Sequence, residues 1–432
     1  MMSNNRTLKV GMLGCGVVGS NVARLLHEDS GDFAARSGAT LTLAKVAVKN
    51  AATKRDYVDP SIITTDSHSI VNDPSIDIVI EVMGGIEPAR DLILTAIKNG
   101  KSIITANKAL LALHGAELFE AADKNGVDLY YEAAVGGAIP ILRPMRESIV
   151  GDHVHRVMGI VNGTTNYILT KMDEEGSAFA DVLKEAQALG FAEADPTADI
   201  EGHDAAAKAA ILAGLAFHTR VTSKDVYCEG ISKISARDVA VARDMDHVIK
   251  LLAIAELTSD NQVSVRVHPT LISRQHPLAS VRNAFNAVFV EAESAGELMF
   301  YGRGAGGAPT ASAVLGDLIA IARNKTRGGE GHGESDYAEL SIASIDKVKS
   351  RYLIRLDVAD KPGVLATVAQ LFATSNVSIE TVRQSGRGDS AELIVATHAA
   401  PESSLQKTVD ALAKSDVVKS VESVLRIESS AK

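Results

Sequence analysis

Apolar positions in the first third of the chain come in two alternating kinds of run. Thr7 to Leu13 is a short continuous apolar stretch, and a glycine turn then leads into Val17, Val18, Val22, Leu25 and Leu26 at helical spacing. Leu41 to Val48 repeats the strand signal, and Asp73-Pro74 breaks the chain before a third run, Ile76 to Met83. Leu92, Ile93, Ala96 and Ile97 share one face of a predicted helix, followed by strand Ser102–Thr105, a helix over roughly 115–124 and strand Val127–Tyr131. Strands that alternate with helices predict an α/β fold with a doubly wound parallel sheet over residues 1–150.

The rhythm changes near residue 150. Val154 to Val161 reads as a strand, followed by helices near 164–173, 178–189 and 202–217. Gln262–Val267, Ala287–Glu291 and Glu297–Tyr301 alternate like antiparallel strands, so an α+β substrate and dimerisation domain is expected over 151–323. A helix near 307–323 is expected to return to the first sheet. Residues 324–334 (NKTRGGEGHGE) lack large apolar groups and read as a flexible linker, taken as 324–350. The remainder, 351–432, has a βαββαβ pattern and reads as a small separate domain.

A length of 432 residues calls for two or three domains, and 46% hydrophobic content supplies their cores. The net charge of −10 speaks against non-specific binding to nucleic acid or to an anionic membrane. No apolar stretch reaches the roughly 18 residues of a membrane span, and no signal peptide is visible. Two cysteines, Cys15 and Cys228, provide neither a disulfide framework nor a zinc cluster. The expectation is a cytoplasmic protein with small-molecule partners, no nucleic acid and no membrane.

Gly14-Cys15-Gly16-Val17-Val18-Gly19 fits G-x-G-x-x-G. Glycine triplets arise by chance, but this one follows a strand and opens an amphipathic helix. In that context the backbone approaches a pyrophosphate and the helix N-terminus meets its charge, as in a Rossmann domain. Gly14, Gly16, Val17, Val18 and Gly19 are therefore candidate cofactor contacts. At the end of the second strand an acidic residue would bind the ribose of NAD; this chain has Lys49, with Lys54 and Arg55 close behind. A cation there suits the 2′-phosphate of NADP, with NAD possible and solvated surface lysines the plain alternative.

Two segments concentrate chemistry. Thr105-Ala106-Asn107-Lys108 stands at the carboxyl end of a predicted parallel strand, where open α/β sheets bind ligands, so Thr105 and Lys108 are candidate cofactor contacts. Gly190 to Lys208 (GFAEADPTADIEGHDAAAK) carries Glu193, Asp199, Asp204 and Lys208. Asp204 and Lys208 are four apart and share a helix face; a solvated salt bridge is the ordinary origin of that spacing. Here the helix is alanine-rich and apolar, so a charged pair on it needs a partner or a task. Exchange of a hydroxyl proton during hydride transfer would suit such a lysine, and carboxylates would suit an amino-acid ammonium.

The glycine loop, Thr105–Lys108, Asn162-Gly163-Thr164-Thr165-Asn166-Tyr167-Ile168 and Gly190–Lys208 stand in one order that resembles the homoserine dehydrogenase family over about residues 8–322. The resemblance implies NAD(P)-linked interconversion of L-homoserine and L-aspartate 4-semialdehyde, in threonine and methionine biosynthesis. It makes Lys208 the proton-transfer lysine and Lys108 a second active-site lysine bordering cofactor and substrate. Glu193 and Asp204, with Asp199 nearby, would hold the amino acid; Gly163 and Thr164 would lie beside it. Gly306 would be a further cofactor contact, although its glycine cluster alone reads equally as a loop. Carbonyls of Glu132, Val135, Gly137 and Ile139 would coordinate a monovalent cation, expected to be Na+. Lys49-Asn50 stands where relatives often carry Arg-Asp, so bidentate phosphate binding at that position is lost.

Asp360-Lys361-Pro362-Gly363-Val364-Leu365 and Asn376-Val377-Ser378-Ile379 resemble an ACT domain, which binds small effectors. Asp360, Gly363, Val364 and Asn376 are the candidate effector contacts and threonine the expected effector. A purely structural, assembly-promoting domain is the alternative. ACT pairing and the family together imply a homodimer or homotetramer. A rival of another class, a nucleotide- and amino-acid-sensing regulator without chemistry, has no use for Glu193, Asp204 and Lys208 together. An aldehyde-acylating enzyme would need a nucleophilic cysteine.

Overall fold

The computed structural model describes residues 6–333, 338–387 and 390–428. Strands β1 (Arg6–Leu13), β2 (Ala39–Ala47) and β3 (Ile63–Thr64) alternate with helices α1 (Val17–Glu28), α2 (Ser30–Ser37) and α3 (His68–Val71). Then come β4 (Ile78–Glu81), α4 (Ala89–Lys98), β5 (Ser102–Thr105), α5 (Lys108–Asn125) and β6 (Leu129–Tyr130). The middle of the chain forms β7 (Val154–Ile160), α6 (Gly163–Glu175), α7 (Phe179–Ala188), α8 (Thr197–Ile200) and α9 (His203–Phe217). It continues as β8 (Tyr227–Cys228), α10 (Ala236–Asp244), β9 (His247–Leu257), β10 (Val263–Ser273), β11 (Phe285–Ala292), β12 (Gly296–Arg303) and α11 (Gly307–Arg327). The last stretch holds β13 (Lys349–Val358), α12 (Val364–Thr374), β14 (Ile379–Arg387), β15 (Ser390–Thr397), β16 (Ala400–Pro401), α13 (Glu402–Ala413) and β17 (Val418–Ile427).

The chain packs into two compact units. The first joins Met1–Val157, Ala207–Asp225 and Asn286–Glu339. Its sheet, in the order β3-β2-β1-β4-β5-β6, is parallel throughout, as alternating strands and helices predict. Leu8, Val10 and Met12 of β1 and Ile78 and Ile80 of β4 share a core with Val22 and Leu26 of α1. Val314, Leu318 and Ile321, at helical spacing on α11, complete it, which is why that helix belongs here.

Two sequence boundaries move for local reasons. Helix α5 starts at Lys108 rather than near 115, because the Asn107 side chain accepts from the Leu110 amide and caps it. Residues 324–327, expected to be linker, are the last turn of α11. The glycine-rich run beyond is tied down: Asn324 Nδ2 lies 3.3 Å from both Asp128 carboxylate oxygens, and Gly331 N donates to Asp128 Oδ1 at 2.7 Å. Composition sees the glycines but not the distant acceptor. Glu334, the end of that run, lies outside the described residues, as do 335–337.

The second unit joins Met158–Ala206, Val226–Phe285 and Leu340–Lys432. Within its mixed sheet β9, β10, β17, β13, β15 and β14 stand in that order, with β8 beside β10. Strand β9 (HVIKLLAIAEL) is buried on both faces over its centre, so it shows no alternation and periodicity does not announce it. The C-terminal βαββαβ module has its own core of Ile354, Leu356, Val368, Phe372, Leu405 and Leu412.

Candidate active site

Within the first unit, the glycine turn is shaped for close approach. Gly14 has φ 97°, and a Cβ there would stand 2.8 Å from Val82 O; one on Gly19 would stand 2.5 Å from Gly14 O. A Cβ on Gly16 would meet nothing within 4 Å. Gly16 caps α1 without a side-chain bond, which leaves its amide end for an anion. Gly14, Cys15, Gly16, Lys49, Asn50, Arg55 and Met83 are among the residues lining a cavity of about 380 Å3. A dinucleotide phosphate fits this cradle. Val17 is exposed at the helix start, and Gly306 (φ 120°) opens α11 beside it, since a Cβ on Gly307 would press on Val17 and Asn21. The expected cofactor residues of the two glycine clusters are thus brought together by the fold.

The cation of this cavity is more than Lys49. Arg55 Nε donates to Cys15 O at 3.4 Å, and its Nη1 donates to Thr53 O at 2.6 Å and Asn50 O at 3.2 Å. A guanidinium is therefore fixed between the glycine turn and the end of β2, six residues after Lys49 in the pair that lacks one. Lys54 instead points to Asp56 at the surface.

At the carboxyl ends of β4 and β5 a buried carboxylate does the ordering. Glu81 accepts from Met83 N at 2.8 Å, Gly84 N at 3.0 Å and Thr105 Oγ1 at 2.6 Å. Thr105 is fully buried and its hydroxyl also accepts from Asn107 N at 3.0 Å. Its side chain is spent on this turn, so the expected cofactor contact reduces to its backbone. Asn107 Nδ2 reaches Gly85 O at 2.6 Å, and Lys108 comes next, half-buried, as the first residue of α5. Sequence reasoning misses Glu81, although a lone acid inside an apolar strand (IVIE) is a signal for it.

The loop expected to hold a monovalent cation belongs to the same unit. Gly136 and Gly137 have positive φ, and a Cβ on Gly137 would strike Gly304 at 2.6 Å. Glu132 spends its carboxylate on three amides, Ile141 N, Leu142 N and Arg143 N, at 2.7–2.9 Å. Its backbone carbonyl, with those of Val135, Gly137 and Ile139, is the donor type that a hard cation takes. Below lies fully buried Asp317, which accepts from Glu132 N at 2.8 Å and pairs with Arg143 at 2.5 Å. Burial pushes its carboxyl up to about 7 against the pull of that arginine. Among the described residues no cluster of three or more His, Cys, Asp or Glu side chains is built for a metal.

The second unit gathers the carboxylates. Asn162 caps α6 by accepting from Thr165 N at 2.9 Å, and turns its amide outward. Its Nδ2 donates to Asp199 Oδ1 at 2.7 Å and to Asp204 Oδ2 at 2.8 Å. Gly163 must be glycine, since a Cβ would stand 2.9 Å from Ala284 O. Thr164 Oγ1 donates to Phe191 O at 2.5 Å, which ties α6 to the 190–204 segment. Glu193 is exposed on that segment, and Asp204 is buried. One turn further along α9, among the residues grouped with the first unit, comes Lys208, also buried. In sequence Asn162 is only one member of a motif; its bridging role needs the fold.

In the C-terminal module Gly363 (φ 91°) opens α12, but the Val364 amide already donates to Lys361 O at 3.3 Å. The Val364 side chain joins the module's core, so this candidate effector contact is largely spent within the fold. Asp360 accepts from Gln384 at 3.2 Å, and Asn376 takes a positive φ of 56°. Neither cysteine suits nucleophilic catalysis. Burial, with Glu201 and Glu229 adding to it, pushes the Cys228 thiol up to about 11, and Cys15 is buried against Ser20. No helix among the described residues is long and apolar enough to cross a membrane.

Comparison with known proteins bears on the family. The family model for the NAD-binding domain of homoserine dehydrogenase matches residues 14–132, that for homoserine dehydrogenase 140–319, and that for the ACT domain 352–416. Homoserine dehydrogenase of Corynebacterium glutamicum is 54% identical over 97% of this chain and 95% of its own length. That of Mycobacterium tuberculosis H37Rv is 52% identical over 99% of both chains. The solved structure of a homoserine dehydrogenase from Thiobacillus denitrificans superposes with a TM-score of 0.94, at 38% identity over 99% of both chains. A hyperthermophilic archaeal homoserine dehydrogenase in complex with NADPH gives 0.62, at 27% identity over 73% of this chain and 97% of its own.

Proposed function

This chain belongs to the homoserine dehydrogenase family of NAD(P)-dependent oxidoreductases, and from that premise we propose that it interconverts L-homoserine and L-aspartate 4-semialdehyde. The observation that carries the reading is the hold of Asn162 on both Asp199 and Asp204. One amide fixes two carboxylates beside an N-capped helix, an arrangement suited to the ammonium of an amino acid. Glu193, on the same segment, would add a third carboxylate, and Gly163 and Thr164 would border the substrate.

Lys208 would hold the substrate hydroxyl and take its proton as the carbonyl forms. Lys108, at the N-terminus of α5, would orient the substrate toward the cofactor. When bound, the nicotinamide supplies or receives the hydride. Gly14, Gly16, Val17, Val18, Gly19, Gly306 and the Thr105 backbone would hold the dinucleotide. Lys49 and Arg55 at one cavity support NADP over NAD, in line with the NADPH-bound archaeal relative. Carbonyls of Glu132, Val135, Gly137 and Ile139 would hold a monovalent cation, which we take to be Na+.

The C-terminal module supports a regulatory reading: threonine as effector near Asp360, Gly363, Val364 and Asn376, and feedback on a step of threonine and methionine biosynthesis. A cytoplasmic homodimer or homotetramer completes the proposal. The test is homoserine-dependent reduction of NADP and NAD by purified protein supplied with Na+, with and without threonine. Turnover that collapses in Lys208→Ala and falls with threonine supports enzyme and feedback together. Turnover indifferent to threonine sinks the feedback reading, and none from folded wild type promotes the sensor.

A further inference from the structure

Arg426, near the end of β17, is 7% exposed and already neutralised inside its own module. Its Nε and Nη2 donate to the two Glu402 oxygens, each at 2.9 Å, and Tyr352 OH donates to the same carboxylate at 2.6 Å. A buried guanidinium with a bidentate carboxylate needs no second acid. It nevertheless has one: Nη1 donates to Glu229 Oε2 at 2.9 Å, and Nη2 lies 3.2 Å from Tyr227 OH. The Tyr227 ring stacks 5.1 Å from the guanidinium and its hydroxyl donates to Glu229. The second set of contacts reaches out of the module to β8.

The residues from Cys228 to Ile231, at the end of β8 and just beyond it, grip the substrate segment. Glu229 N donates to Val267 O at 2.8 Å, which anchors it to β10. Cys228 Sγ donates to Glu201 O at 3.3 Å, and Ile231 N donates to Ile200 O at 2.7 Å. Gly230 lies so close that a Cβ would be 2.3 Å from Ile200 O, and Gly202 (φ 82°) packs on Cys228. The clasped residues, 200–202, lie between Asp199 and Asp204, the two acids that Asn162 bridges. From Arg426 to that carboxylate pair the contacts are continuous.

We propose that Glu229, held by Arg426, is a positioning residue: through Cys228–Ile231 it sets the 199–204 turn, so that the C-terminal module tunes affinity for the amino-acid substrate. The inference rests on the reading of Asp199 and Asp204 as the amino-acid site. The Glu229 side chain is 40% exposed, so Glu229→Gln keeps fold and shape while removing the charge. Arg426→Lys keeps the charge and loses the fork.

The test measures homoserine KM, cofactor KM and kcat for both full-length variants beside wild type. It also tracks alkylation of Cys228 in a Cys15→Ser background, with and without Arg426→Lys. The expected result is homoserine KM raised roughly 3- to 30-fold, cofactor KM unchanged, and faster Cys228 labelling. Unchanged homoserine KM in both folded variants overturns the proposal. So does a uniform loss of activity that tracks melting temperature, the mark of a merely structural contact. If wild type does not oxidise homoserine, the functional reading fails separately. Cys228 labelling then decides the link: unchanged by Arg426→Lys, it overturns it, and faster, it upholds it.

Discussion

Asn162 Nδ2 stands 2.8 Å from Asp204 Oδ2, across 42 residues of chain. The donor caps one helix and the acceptor opens another, so the bond sets the angle at which the α9 carboxylate is presented. Asn162→Ala removes a hydrogen bond to each of two charged groups, a loss of about 1.5–3 kcal/mol for such a bond. We expect homoserine kcat/KM to fall roughly 10- to 100-fold with cofactor KM little changed. Asn162→Asp adds a third negative charge at the bridge and should be worse. A steady-state comparison in which Asn162→Ala matches wild type would refute the shared-amide role.

Arg55 gives a second prediction. It is fixed by three backbone carbonyls on the wall of the nucleotide cavity, in place of the arginine absent at Lys49. Arg55→Ala should raise the KM for NADP roughly tenfold or more, the worth of a charge-assisted bond, and leave NAD nearly unaffected. Equal losses for both cofactors would mean that Arg55 only braces the loop.

Lys250 makes a pH-dependent contribution. Its ammonium is buried on β9, with Asn166 Oδ1 at 2.9 Å and Val281 O at 2.6 Å. Burial brings it down to about 8, with Asp173 and Glu174 opposing and Arg282 and Arg274 assisting. A lysine depressed in the folded state releases its proton there before it does when unfolded. Between about 8 and its ordinary 10.5 the unfolded chain holds the extra proton, so stability rises with pH over that window. Denaturant melts of wild type and Lys250→Met should show wild type gaining on the variant from pH 8 to 10.5. A constant difference would rule the effect out.

Glu392 works in the opposite range. Arg237, then Arg355, hold its carboxyl down to about 2 from an ordinary 4.5. A depressed acid stabilises the fold above its unfolded value and loses that contribution as pH falls toward the folded one. The stability gap between wild type and Glu392→Gln should therefore be full at neutral pH and close between 4.5 and 2. Acid titration of both proteins by circular dichroism checks it.

By itself the sequence determined what depends on neighbours along the chain. Period and turn chemistry between Thr7 and Tyr131 sufficed for the parallel sheet, because strand, glycine turn and amphipathic helix are local patterns. The i,i+4 placement of Asp204 and Lys208 is equally local, as is the βαββαβ order of the last module. Where burial erases alternation, as in β9, the signal vanished. Tertiary structure alone decided who meets whom. It brought Arg55 back to Cys15, closed Glu81 onto Thr105, and held residue 331 to Asp128 in a stretch that composition makes a linker. It also laid Arg426 on Glu229, 197 residues earlier. Each of these is a hydrogen bond whose partner lies elsewhere in the chain, and a donor's spacing to its own neighbours carries no trace of a distant acceptor.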